Sequence, residues 1–136
     1  MSQDNSNQLV KNTFSKSERL SSEILIKELF SKGSSFYLYP FKFLFFEKEK
    51  KEQQHQLLVT VPKRSFKRAV DRNLLKRRIR EAYRLNKNEY LSPLLGDPNY
   101  SLGIIYTSKD KLAFDIIEKK LILVFRRLAK VIHEQD

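Results

Sequence analysis

Residues Lys63–Arg84 read KRSFKRAVDRNLLKRRIREAYR. The segment holds ten Lys or Arg against two acids, Asp71 and Glu81, a local charge of +8 in a chain whose formal net charge is +11. After Pro62 it contains no Gly or Pro, and it is rich in Leu, Arg, Lys, Ala and Glu, which favour helix. The spacing predicts a helix over about 68–85. It starts late, because Ser65 and Phe66 open a helix poorly and Ala69 begins the helical period. On a helical wheel Arg72, Lys76, Arg80 and Arg84 follow one another at i+4 and form one ridge, with Asn73 and Arg77 beside it. Leu74, Leu75, Ile79 and Ala82 fall on the opposite side, with Val70 at its margin. Arg78 stands misplaced among the apolar residues. Like charges at i+4 destabilise a helix by a few tenths of a kcal/mol per pair. Such a row is carried most readily when a polyanion neutralises it. A solvated helix face is the bland alternative, but solvated faces mix signs and this ridge has no acid. A membrane surface is the weaker alternative, because the apolar side is sized for a protein core.

Upstream, Leu57–Val61 reads as a strand that delivers the chain through Pro62 into the basic helix. Ser34–Glu47 reads SSFYLYPFKFLFFE, dense in residues of high β propensity. Pro40 separates a short strand, Phe36–Leu38, from a longer one, Phe41–Glu47. On the longer strand Phe41, Phe43 and Phe45 face one way, and Lys42, Leu44 and Phe46 the other. Both faces are mostly apolar. Either both are covered, or the second lines an apolar groove; burial explains each Phe, and a stacking platform for unpaired bases is the alternative for the set. Lys48–Gln56 reads as a polar hairpin loop with His55 exposed to solvent. Before the strands, Ser21 or Ser22 caps a helix whose Ile24, Leu25, Leu29 and Phe30 recur at helical spacing and which stops at Gly33, a residue suited to the position after a helix. Residues 1–17 read as a flexible polar tail and 18–136 as one domain.

Downstream, residues 86–99 read as a loop because of Pro93, Gly96 and Pro98, with Leu94 and Leu95 tucked onto the core. Tyr100–Thr107 is a fourth strand. Asp115 as N-cap with Glu118 three residues on opens a last helix, whose stripe Ile117, Leu121, Val124, Phe125, Leu128 and Ile132 is apolar. The order of elements predicts an α+β fold: a four-stranded sheet with three helices packed on it. The third strand, basic helix and fourth strand form a strand–helix–strand crossover.

The 136 residues contain no cysteine, which excludes disulfides, cysteine-based zinc sites and thiol nucleophiles. The pI near 9.9 points to a polyanionic partner. No run approaches the ~18 apolar residues needed to span a bilayer, and the N-terminus lacks the apolar stretch of a secretory signal. No membrane association is expected, and the cytoplasm is the expected location. Neither His has a neighbouring base or nucleophile pattern, there is no Gly-rich phosphate loop, and no carboxylate cluster reads as a metal site. No catalytic residue, protein-bound metal or protein-bound cofactor is expected. Arg and Lys suit phosphates, and Asn73 suits directional hydrogen bonds.

The run Lys67-Arg68-Ala69-Val70-Asp71-Arg72-Asn73-Leu74-Leu75-Lys76-Arg77-Arg78-Ile79-Arg80 resembles the "RNR" signature of the protein subunit of bacterial ribonuclease P. The preceding Val61–Arg64 matches the strand end that feeds it, and Arg19-Leu20 before a helix ending near Gly33 resembles the family's opening. The resemblance covers residues 18–132. It implies an α/β sandwich like the second domain of ribosomal protein S5, with a left-handed crossover where general rules favour a right-handed one. It also implies an accessory role in an endoribonuclease. The catalyst in that family is an RNA subunit with bound Mg2+, which hydrolyses a phosphodiester to remove the 5′ leader from precursor tRNA. The protein binds that RNA and the leader. The resemblance places Arg72, Asn73, Lys76, Arg77 and Arg80 against the catalytic RNA, with Lys63, Arg64, Lys67 and Arg68 nearby; Arg84, at the end of the ridge, is a further RNA-binding candidate. It makes Ile26, Phe30, Leu44 and Phe46 candidates for the leader cleft; Ile26 and Leu44 stand where some relatives carry aromatics. The implied partners are the ribonuclease P RNA and precursor tRNA, with no stable protein partner.

Overall fold

The two apolar faces of one strand set the layering. The computed structural model describes residues 14–48, 55–95 and 100–135. In chain order the elements are α1 (Glu23–Lys32), β1 (Ser34–Leu38), β2 (Phe41–Glu47), β3 (Gln56–Thr60), α2 (Ala69–Asn86), β4 (Tyr100–Tyr106) and α3 (Phe114–Gln135). The strands make a four-stranded sheet in the order β1-β2-β4-β3. β1 and β4 each pair antiparallel with β2, and β3 pairs parallel with β4. Phe43 lies opposite Ile104 and Ile104 opposite Val59; Phe45, Leu102 and Leu57 form the next row. These side chains meet Leu75, Ile79, Ala82 and Tyr83 of α2 and Ile117, Leu121, Val124, Phe125 and Leu128 of α3 in the main core. Each fully buried side chain of this kind contributes about 1.5–3 kcal/mol. On the other face Leu44 lies opposite Gly103, and α1 seats Leu29 between them with Leu20 closing the cluster. A Cβ on Gly103 would stand 3.1 Å from a Leu29 methyl, so glycine admits the helix this close. Both faces of β2 are therefore covered, one by two helices and the other by α1.

The hand of the β3–α2–β4 crossover follows from one residue. Leu57 points its side chain at α2, and its carbonyl turns away from β4 to accept the Leu20 N–H at 2.9 Å. Seen from the α2 side with β3 running upward, the N–H and C=O of an L-residue that faces the viewer lie to its right. β4 therefore lies to the left, and the crossover is left-handed, against the general preference.

Several expectations are corrected. Lys48–Gln56 is not a hairpin loop, because β4 is inserted between β2 and β3; residues 49–54 lie outside the described residues. Residues 86–95 are not an open loop, while 96–99 and the Leu94 side chain lie outside the described residues. Lys87–Leu91 continues α2 as a π-helical turn, and Ser92–Leu95 adds one α turn with Leu91 and Leu95 buried. Pro93 is accommodated as the second residue of that turn. α3 begins at Phe114, so Asp115 sits in the first turn and is not the N-cap. There its charge favours the positive end of the helix dipole. Ser22 does cap α1, accepting the Leu25 N–H at 3.3 Å. Gly33 ends α1 in extended conformation (φ −71°), so glycine is required there for space: a Cβ would collide with the Leu29 carbonyl oxygen. Of the expected tail, residues 1–13 lie outside the described residues, while Lys16–Glu18 form a 3-10 turn and Phe14 packs edge-on against Tyr83, ring centroids 5.5 Å apart.

His55 is buried and not in solvent. Its Nδ1 accepts the Tyr100 N–H at 3.3 Å, so the neutral ring fits the site. Burial first, and then the Lys48 and Lys87 cations, push its pKa down from 6.5 to about 4. The unfolded chain therefore takes up a proton before the folded one does. The stability contributed by neutral His55 is complete above about pH 6.5 and is lost as pH falls toward 4. Between pH 7 and pH 4.5, urea denaturation is expected to show wild type losing about 2–3 kcal/mol more than His55→Asn. Parallel pH profiles for the two proteins would contradict this.

Candidate nucleic-acid interface

The turn ahead of α2 is fixed before the helix begins. Pro62 O accepts the N–H of Ser65 at 3.2 Å and of Phe66 at 3.3 Å. Phe66 turns inward onto Tyr106. Arg72 reaches back and donates from Nη1 to the carbonyls of Phe66, at 2.8 Å, and Lys67, at 2.9 Å. Its guanidinium is thus engaged in shaping the loop, which leaves Lys63, Arg64, Lys67 and Arg68 exposed on the outside. Arg78, the residue out of place on the wheel, donates to the Leu112 carbonyl at 2.7 Å, and Lys111 meets Asp71 at 3.3 Å. These contacts pin the β4–α3 loop against α2, at its first turn and at its middle.

Farther along α2 the ridge opens onto a groove of about 370 Å3 lined by Asn73, Arg77, Arg80, Glu81 and Arg84 from α2 and by Phe14 and Arg19 from the N-terminal segment. Arg19 lies over the Phe14 ring, 5.3 Å from its centroid. The segment is locked down by a buried ion pair between Glu18 and Lys87. Burial, and then the Arg19 cation, hold the Arg80 guanidinium below its ordinary value. Two cations so placed are stabilised by an anion between them. Arg84 is already matched: it donates to Glu81 at 2.6 and 2.9 Å. Among the described residues, Arg77 and Arg80 have no acidic side chain within ion-pair distance. Phe14 and Arg19 were not marked as site residues by the sequence. An isolated Arg in a polar segment has no local signal, and its meeting with Arg80 depends on the Glu18–Lys87 pair, closed across 69 positions.

The other candidates are not brought together as one set. Phe30 is exposed on α1, and Ile26 is half-buried beside the small core cluster. Leu44 lies beneath α1 and is only 4% exposed, so it offers no face to a ligand in this arrangement. Phe46 lines a separate shallow groove of about 260 Å3 with Lys32, Ser34, Phe45, Glu47 and Tyr100. Among the described residues no three His, Asp or Glu side chains converge to hold a metal, and no helix is long and apolar enough to cross a membrane.

The Ribonuclease P family model matches residues 14–129. Two Porphyromonas gingivalis chains, each described as a ribonuclease P protein component, are 44% identical over 75 residues, covering 54% of this chain and 55% of each relative. The chain thus spans about half the length of the curated relatives it matches. Among solved structures, a Staphylococcus aureus RNase P protein matches with TM-score 0.69 at 21% identity, over 83% of this chain and 96% of that one. The RNase P protein from Thermotoga maritima matches with TM-score 0.62 at 25% identity, over 81% and 96%.

Proposed function

Because the chain belongs to the ribonuclease P protein family, we propose that it is the protein component of that endoribonuclease, binding the catalytic RNA subunit through α2 and the 5′ leader of precursor tRNA through the α1 side of the sheet. The observation that supports this most is the groove where Arg77 and Arg80 meet Arg19 and where, among the described residues, the one lining acid is Glu81, already matched by Arg84. Phosphate oxygens of a folded RNA supply the anions that this groove lacks. Lys76 and Asn73 extend the same surface, the latter as a directional hydrogen-bond partner. Lys63, Arg64, Lys67 and Arg68 reach further phosphates from a loop whose shape Arg72 fixes. The converging donors needed for a protein-held metal are missing among the described residues. In this proposal the hydrolysis and its Mg2+ belong to the RNA subunit, and the protein binds, orients and screens charge.

A structured-RNA or ribosome-binding protein of the same fold is the second reading, and it rests on the same basic surface. Binding titrations separate the two. The proposal expects the chain to prefer its own organism's ribonuclease P RNA over ribosomes and over duplex DNA at equal salt. Sedimentation with ribosomes without preference for that RNA would contradict it.

A further inference from the structure

Away from the ridge, the last helix carries a second run of cations. Lys119–Lys130 reads KKLILVFRRLAK, five Lys or Arg in twelve residues with no acid. Leu121, Val124, Phe125 and Leu128 turn into the core. Lys119, Arg126, Arg127 and Lys130 fall on the opposite side of α3 and are exposed, with Lys120 half-buried at the margin. The row from Lys119 to Lys130 is about 16 Å long at the helical rise per residue. Among the described residues, none of these five cations has an acidic side chain within ion-pair distance. Glu118, the acid just before the run, turns away and accepts from Asn86 Nδ2 at 2.9 Å. A solvated helix face mixes signs, and the helix dipole favours cations only in the last turn. Neither accounts for an acid-free run that begins about four turns before the helix ends.

Two of these cations are set in place by rings. Arg127 lies over Phe36 of β1, with Cζ 5.7 Å from the ring centroid, and Arg126 lies over Tyr90 of the π-helical turn, at 6.0 Å. The same contacts locate the face. Arg127 meets β1, one edge of the sheet, whereas the groove beside the ridge is lined by Arg19, which bridges to Leu57 on β3, the other edge. Three strand spacings, about 14 Å, separate the two edges. α2 stands between them: it meets the β4–α3 loop through Asp71 and Arg78 and presents Arg77 and Arg80 to Arg19.

The chemistry of the face favours one kind of partner. Its two nearby rings are covered by Arg126 and Arg127, so they are not open platforms for unpaired bases. Ile116 and Leu123, each 42% exposed, lie one heptad apart with cations around them, too short a seam to hold a partner helix. A double-helical RNA presents rows of phosphates on a stiff backbone and is recognised by shape and charge. We propose that the exposed face of α3 docks the phosphate backbone of a double-helical segment of a second RNA molecule, so that one copy of the protein holds two RNAs on two sides. This goes beyond the function proposed above and rests on that reading only for the RNA that occupies the ridge.

The test starts from the stoichiometric complex of the protein with ribonuclease P RNA. A labelled RNA duplex of about 16 base pairs, the span covered by domains that read duplex shape, is titrated into it and followed by anisotropy and native gels. The duplex is expected to comigrate with the complex and not with the RNA alone. Arg126→Gln/Arg127→Gln/Lys130→Gln is expected to weaken duplex binding on the order of 100-fold or more near 0.1 M salt and to lower its salt slope by about 2–3, one phosphate contact per lost cation. Arg126→Lys/Arg127→Lys keeps the charges and is expected to stay within about threefold of wild type. Affinity of the Gln variant for ribonuclease P RNA is expected to stay within about twofold, because the ridge is distant. Duplex binding that ignores the Gln substitutions, or a wild-type complex that takes up no duplex, would overturn the proposal and leave the face to a partner other than a second RNA. An equal loss of affinity for ribonuclease P RNA would also overturn it, because the face would then dock the molecule already on the ridge. Failure of wild type to bind that RNA would defeat the proposed function. Duplex titrations of Arg77→Ala/Arg80→Ala protein, with and without the three Gln substitutions, would still decide this face.

Discussion

Replacing Arg77 and Arg80 together by Ala is expected to weaken binding of ribonuclease P RNA on the order of 50-fold near 0.1 M salt. The expectation rests on counterion release. Each phosphate contact contributes about 0.9 to the slope of log affinity against log salt, so two lost contacts reduce the slope by about 2 and remove roughly two factors of eight at 0.1 M relative to 1 M. These two positions are chosen because neither guanidinium is matched by an acid within ion-pair distance among the described residues, and both line the groove with Arg19. Arg84→Ala is expected to change the slope less, since Glu81 already holds that cation. Arg72→Ala is expected to act differently again. Its guanidinium holds the Phe66 and Lys67 carbonyls, so its loss loosens the loop and lowers the melting temperature together with affinity. Filter-binding titrations from 0.05 to 0.5 M salt, with melting temperatures alongside, read all three. An unchanged slope in the Arg77/Arg80 variant would mean that the ridge does not touch RNA.

Lys87→Met is expected to cost the fold about 3–5 kcal/mol, because it leaves the Glu18 carboxylate buried without its partner. For a chain of this length that corresponds to a fall of about 10 °C or more in melting temperature. Adding Glu18→Gln to Lys87→Met removes the stranded charge and is expected to restore most of the loss, which separates a charge effect from a packing effect. The same pair fixes Phe14 and Arg19 against α2, so Lys87→Met also weakens RNA binding under conditions where the protein is still folded. Stability within about 1 kcal/mol of wild type in the single variant would contradict this role for the pair.

What the sequence made legible was what depends on near neighbours. The period of residues 68–85 places α2 and its ridge, the alternation in Phe41–Glu47 places β2 and shows that both of its faces want cover, and the residue order of the signature points to the family. What depends on distant closure was hidden. The insertion of β4 between β2 and β3 is a parallel pairing with no local pattern, so adjacent strands read as a hairpin. The left hand of the crossover came from the resemblance and not from the general rules; in the structure it follows from which way Leu57 turns its carbonyl. Arg78 looked like an error in an amphipathic wheel until the Leu112 carbonyl appeared opposite it. His55 sits in a polar stretch and is buried by Tyr100 and its surroundings, which come from the far side of the chain. Of the proposed leader-side residues, burial of Leu44 beneath α1 depends on the Leu29–Gly103 contact, which spacing alone does not reveal.

The most direct test of the central claim is precursor-tRNA cleavage by the ribonuclease P RNA of the same organism at low Mg2+, with and without this protein. The expected result is that the protein restores leader removal at a Mg2+ concentration where the RNA alone is slow, and that Arg77→Ala/Arg80→Ala restores much less at limiting protein. Equal cleavage with and without the wild-type protein, across protein concentration and salt, would contradict the account.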